Sequence, residues 1–191
     1  SATLAAVPLA QSPPPLVDLN DDPQGNYSSL WAEWLDGYPV RPPSAVIGDR
    51  IYLPMFHLDF GTEIVSTDGR ASGTRLLGGV ELDVGSSRSL PDPRDLVTDG
   101  RGNLYFSAYR AATGRELYRF DGTSTVLVDD TNPGNPWAAP DLDPGPTDLF
   151  AWQGRIYYLM DDGVNGRELW VADGLTAGMV DELGVGGANG L

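Results

Sequence analysis

Six carboxylates in this chain recur at a fixed interval, and that repetition narrows what they can do. Asp68, Asp121 and Asp173 each precede a glycine and lie 53 and 52 residues apart. Glu63, Glu116 and Glu168 keep the same two intervals beside Thr62, Arg115 and Arg167. A catalytic centre needs one constellation of groups, so dispersed copies of one residue point to architecture instead. An aspartate before glycine accepts backbone N–H bonds and fixes a turn, while the glycine takes up positive φ. The competing reading is a set of carboxylates around an axis that binds cations. For the glutamates, a strand-end ion pair or backbone contact competes with a ligand-reading ring.

The unrepeated residues offer other chemistry. Tyr27, Trp31, Trp34 and Tyr38 are spaced 4, 3 and 4, which predicts one face of a short helix over 27–38, capped at Ser28 or Ser29 and ended by Gly37. An aromatic face of this kind stacks on sugar rings or anchors a partner chain, or it plugs one end of the domain. Asp18, Asn20 and Asp22 place oxygen side chains beside the Gly25 turn, as calcium loops do. They lack the full spacing of a helix–loop–helix calcium site, and Asp141 and Asp143 form a weaker version; a solvated acidic turn is the favoured alternative. His57 is the lone histidine, in or just after an apolar strand, and reads as a core or edge residue. There is no Gly-rich phosphate loop, nucleophile elbow or paired catalytic carboxylate motif in the sequence, so no enzyme is expected.

These residues are positioned by a repeat of about 52 residues. Three units open at Gly48-Asp49-Arg50-Ile51-Tyr52-Leu53, Gly102-Asn103-Leu104-Tyr105-Phe106 and Gly154-Arg155-Ile156-Tyr157-Tyr158. The continuous apolar Tyr runs predict strands buried on both faces. A second strand runs into each Asp-Gly turn, with Leu117-Tyr118 and Leu169-Trp170 as packing residues. Third strands are predicted at Thr74–Leu77, Thr125–Val128 and Met179–Leu183. Val46, Val97 and Phe150 mark a fourth strand, paired with the Tyr strand that follows it across a Gly-containing turn. The Pro- and Gly-rich stretches Ser86–Pro93 and Asn132–Pro146 read as crossings between units.

The third unit, Gly166-Arg167-Glu168-Leu169-Trp170-Val171-Ala172-Asp173-Gly174-Leu175-Thr176-Ala177-Gly178, resembles the ELWxxDGT repeat family of bacterial, largely exported proteins. The second unit keeps Asn103-Leu104-Tyr105-Phe106 and Asp121-Gly122-Thr123. The first departs, with Glu63-Ile64-Val65 and Asp68-Gly69-Arg70, though Ser72-Gly73-Thr74 fits. The resemblance covers about residues 48–183 and implies a β-propeller-like architecture and an extracellular, cell-surface or periplasmic location. It implies no reaction and no ligand.

Composition agrees with an all-β chain. Gly (24) and Pro (16) are abundant, as many tight turns require, and 41% apolar residues suffice for a core. The net charge is −15, and all twelve basic residues are arginine. Such a surface repels phosphate backbones, which excludes nucleic acid as a partner class. The absence of cysteine removes disulfide and thiolate chemistry, and no apolar run approaches the ~20 residues of a membrane span.

The expectation is therefore an all-β, propeller-like array of about three four-stranded blades. An extended segment covers 1–15, and one domain covers 16–191 with units near 48–100, 101–152 and 153–191. Leu16–Asn20 reads as an orphan strand, and the third unit stops within Gly184–Gly190. The array is thus completed by that strand or by another chain, and self-association or a protein partner is expected. The functional expectation is a noncatalytic exported scaffold or interaction module within a surface assembly. The alternative is a carbohydrate- or calcium-dependent binding protein that uses the aromatic insertion.

Overall fold

The computed structural model describes residues 44–57, 61–77, 92–110, 113–131 and 145–181, together with the backbone of 34–35 and 38–39. Those residues form three four-stranded antiparallel sheets, each a meander of neighbours in the chain. Sheet 1 holds β3 (Ala45–Ile47), β4 (Arg50–His57), β5 (Gly61–Thr67) and β6 (Arg75–Leu76). Sheet 2 holds β7 (Arg94–Thr98), β8 (Leu104–Arg110), β9 (Gly114–Phe120) and β10 (Thr125–Asp129). Sheet 3 holds β11 (Thr147–Trp152), β12 (Arg155–Asp161), β13 (Arg167–Asp173) and β14 (Thr176–Asp181). The first strands sit together, with β7 against both β3 and β11. This is a propeller-like stack of three blades, and the strands marked by Val46, Val97 and Phe150 do pair with the Tyr strands.

The register shows why the repeat is kept. Phe106 faces Tyr118 across β8 and β9, and the equivalent pair Tyr158 and Trp170 faces across β12 and β13. Both pairs stack, with ring centroids 6.0 and 6.5 Å apart and planes within 20° and 26°. In sheet 1 the same register position holds Leu53 and Val65, so no aromatic stack forms there. The missing Glu-Leu-Trp match in the first unit therefore has a packing counterpart.

Each sheet has a front face and a back face, and sheets meet front to back. The back of sheet 1 (Ala45, Tyr52, Ile64, Leu77) packs on the front of sheet 2 (Leu96, Leu104, Phe106, Ala108, Tyr118, Phe120). The back of sheet 2 (Tyr105, Leu117, Val128, with Val97 beside them) packs on the front of sheet 3 (Ile156, Tyr158, Met160, Trp170, Ala172). One consequence corrects the sequence reading of the Tyr strands. Only β8, in the middle sheet, is buried on both faces; β4 and β12 alternate between buried and more open positions. β8 has a described sheet on each side, which sets it apart from the Tyr strands of the two end sheets.

Two further expectations change. The helix predicted over 27–38 is replaced, where the chain is described, by a ribbon of β1 (Trp34–Leu35) and β2 (Tyr38–Pro39). Leu35 pairs with Tyr38 across the two-residue link Asp36-Gly37, a favoured hairpin loop, and Pro39 biases Tyr38 away from helix. An extended backbone has no 3.6-residue face, so Trp34 and Tyr38 do not share a helical face. The third strand of the last unit begins at Thr176, three residues before the expected Met179, with the ladder running one pair further toward the turn than in sheet 2. Leu16–Asn20 and the segment 1–15 lie outside the described residues.

Strands β7 and β11 each carry a bulge. Asp95 and Asp148, 53 residues apart, both adopt left-handed φ (54° and 56°), a region aspartate tolerates better than most residues. The ladder shifts register beside each of them. The Asp148 N–H donates to Asp95 Oδ2 at 3.2 Å, which ties one blade's first strand to the next.

Candidate functional site

The repeated carboxylates are absorbed by the scaffold. Asp68 Oδ1 accepts the Arg70 N–H at 2.9 Å, and Asp121 Oδ1 accepts the N–H groups of Thr123 and Ser124, both at 2.9 Å. These backbone donors hold both carboxyls below the usual carboxylate range. Asp173 behaves differently. Asp173 pairs with Thr176 in the ladder, which leaves only Gly174 and Leu175 in the loop, whereas sheet 2 uses the four residues between Phe120 and Thr125. The shortening moves Asp173 out of the turn and onto the ladder. Its carboxylate meets Arg155 at 3.2 Å and Arg101, from the β7–β8 loop, at 3.6 Å.

The glutamates are not exposed strand-end pairs in the two inner positions. Glu116 and Glu168 are 1% and 0% exposed on the front faces of sheets 2 and 3. Glu116 Oε2 accepts the Thr131 N–H at 3.3 Å, a backbone contact that holds the chain leaving β10. Glu63 lies on the front of sheet 1 opposite Met55, and burial alone pushes its carboxyl up to about 7. The neighbouring arginines serve the first strands. Buried Arg115 donates to Asp92 Oδ2 at 2.9 Å and to the Asp92 carbonyl at 2.8 Å, and Arg167 donates to Asp148 Oδ2 at 2.8 Å and to the Thr147 hydroxyl. Desolvation raises the carboxyl of Asp95 beside them, with the Asp148 N–H opposing the rise.

Among the described residues, no group of three or more His, Asp or Glu side chains could hold a metal ion. The calcium candidates Asp18, Asn20 and Asp22, the acidic pair Asp141 and Asp143, and the aromatics Tyr27 and Trp31 lie outside the described residues. Trp34 and Tyr38 are placed by backbone only, in β1 and β2. His57 ends β4, where it pairs with Gly61.

What the structure does assemble is a site that repeat position alone leaves unmarked. Four equivalent positions build each back face. They are Ala45, Tyr52, Ile64 and Leu77 in sheet 1, Val97, Tyr105, Leu117 and Val128 in sheet 2, and Phe150, Tyr157, Leu169 and Val180 in sheet 3. All twelve are apolar or aromatic. The first two sets are covered by the next sheet's front face. The third set is open, with Phe150 58% and Val180 47% exposed. Trp152 shares that face at 53% exposure, and Phe150 and Trp152 sit 6.3 and 6.0 Å from the Tyr157 ring. Large aromatics gathered on an uncovered sheet face mark an interaction surface.

A polar anchor accompanies the covered version of this face. The Tyr105 hydroxyl donates to the Gly174 carbonyl of the next sheet at 3.1 Å. Tyr157 holds the same repeat position on the open face, and its hydrogen bond to Arg155 is one reason, after that to Asp173, that the arginine's pKa is raised. The sequence signal for this site was the aromatic pair Phe150 and Trp152, two residues apart on one strand where sheet 1 has Ala45 and Ile47. Reading it needed the face assignment that only the fold supplies.

Compared with known proteins, the chain matches no family model and no curated protein. Among the described residues, no helix is long and apolar enough to cross a membrane.

Proposed function

We propose that this protein is a noncatalytic interaction module, an exported subunit of a cell-surface or extracellular assembly, whose working surface is the back face of sheet 3. The observation that carries the reading is the open quartet Phe150, Tyr157, Leu169 and Val180, apolar at the positions that form the covered joints in sheets 1 and 2. The polar repeats add support, because Asp68, Asp121, Glu116 and Arg115 are already engaged in turns, backbone contacts and ion pairs. Export rests on the resemblance of 166–178 to the ELWxxDGT repeats. A shortage of chemistry on polar groups and a surplus of apolar area on one face suit docking better than turnover.

The test is isolation of the protein from its source under mild conditions, with and without the substitution Phe150→Asp. The wild type is expected to elute with partner chains well above its own 20.4 kDa, and the variant without them. A wild-type protein that elutes as a lone chain, or a complex indifferent to Phe150, would sink the reading.

A further inference from the structure

We propose that the occupant of this face is a second copy of the same chain, docked by the front of its sheet 1. The inference rests on the interaction-module reading and specifies its partner. The molecule already makes this joint twice, each time with a back quartet against the next sheet's front face. The chemistry needed to cover Phe150, Tyr157, Leu169 and Val180 is therefore a front face of this repeat.

The front of sheet 1 has the matching features. Ile51 stands where Leu104 and Ile156 are buried in the two internal joints, and it is 42% exposed. Leu76 stands where Leu127 packs into the first joint, and it too is exposed, as is Val46 opposite Ile51. Val65, at the centre of the same face, is 1% exposed, so the open area is the rim marked by Val46, Ile51 and Leu76. The polar anchor transfers as well. Tyr157 of one copy is placed to donate to the Gly69 carbonyl of the other, as Tyr105 donates to Gly174.

The two surfaces differ, so the contact is head to tail. Two copies joined at both ends would bring together six of the four-stranded sheets, three from the described residues of each copy, within the roughly four to eight blades of closed propellers. Like charge opposes the encounter, since each copy carries −15, so screening salt strengthens it.

Sedimentation of the purified full chain across concentration and salt tests this, with Phe150→Asp, Ile51→Asp, Trp152→Ser and Tyr157→Phe compared. The wild type is expected to associate, more tightly in higher salt. Phe150→Asp and Ile51→Asp each weaken association at least tenfold while the monomer stays folded by circular dichroism, because both side chains are exposed in one copy. Trp152→Ser reports on the same face without adding a charge, and Tyr157→Phe weakens association by about fivefold, the worth of one net hydrogen bond.

Mixing provides the decisive arm. An equimolar mixture of Phe150→Asp and Ile51→Asp pairs one intact back face with one intact front face, so it must associate when neither variant does alone. A wild-type chain that stays monomeric at every concentration overturns the second copy. So does association insensitive to Phe150 and Trp152, or an Ile51→Asp variant that still self-associates through paired back faces. A monomer that nevertheless binds a different protein from its source in a Phe150-dependent way overturns the second copy alone and leaves the interaction module standing. Failure of both experiments removes both.

Discussion

Glu116 turns a repeated carboxylate into a clamp on the chain leaving its blade. Replacing it with alanine leaves the Thr131 N–H without its acceptor, and a loss of about 1–3 kcal/mol is expected in denaturant unfolding. Glutamine keeps an acceptor and should lose less; an alanine variant as stable as the wild type would dismiss the clamp. Glu63 makes a different claim, about pH. Its folded carboxyl titrates near 7 against 4.5 when unfolded, so the folded state holds a proton that the unfolded state releases between those values. Unfolding free energy should therefore fall as pH rises through that window, with the penalty complete above about 7. Glu63→Gln removes the penalty. Its advantage is expected on the order of 1–2 kcal/mol at alkaline pH, allowing for solvent screening of a half-buried group, and should vanish below the unfolded value. An advantage that grew toward acid would refute the burial account. Residue roles were legible where chemistry is local, as at Asp68, which accepts the N–H two residues ahead, and Asp121, which accepts those two and three ahead. Asp173 escaped because its role depends on a loop shortened by two residues and on an arginine from another sheet.

At the scale of elements, the strands followed from short apolar runs bounded by Gly-containing turns, and the strand before each Tyr run was legible from the same signal. The aromatic insertion was not, because a 4, 3, 4 spacing and an Asp-Gly pair give conflicting instructions. The Asp36-Gly37 link prevailed for 34–39, with Pro39 disfavouring a helical Tyr38. The joints between sheets yield a sharper prediction. Tyr105→Phe deletes the one hydroxyl bond from the back of sheet 2 to the Gly174 turn, and should cost about 1 kcal/mol in thermal or chemical unfolding. Gly174→Ala strains the same turn from the other side, since Gly174 sits at φ 71°, and should cost a similar amount. Combined, the two changes should fall short of their sum, because both act on one contact. Strict additivity would mean that the bond does not couple the two sheets.

At the scale of the whole molecule, the period of about 52 residues marks the three blades of the described residues, yet it is silent on which faces are covered. Equivalent residues such as Val97 and Phe150 differ in fate because one has a neighbouring sheet and the other does not, and that is a property of the stack. The same scale governs charge. A chain with 27 acidic and 12 basic residues repels itself when compact, so its melting temperature should climb as salt rises from a few millimolar to a few tenths molar. A calorimetric series in sodium chloride measures this, and a falling melting temperature would show that attractive pairs such as Arg115–Asp92 dominate instead.

Because every sheet is an unbroken run of neighbours in the chain, its backbone pairing never waits for a distant segment. The molecule is suited to being completed in order of synthesis. Sheet 1 can close its ladder while the residues of sheet 3 are still being added at the ribosome, and each later sheet arrives to cover the apolar side of the one before it. Translation would thus bury one sticky surface at a time across the three described sheets.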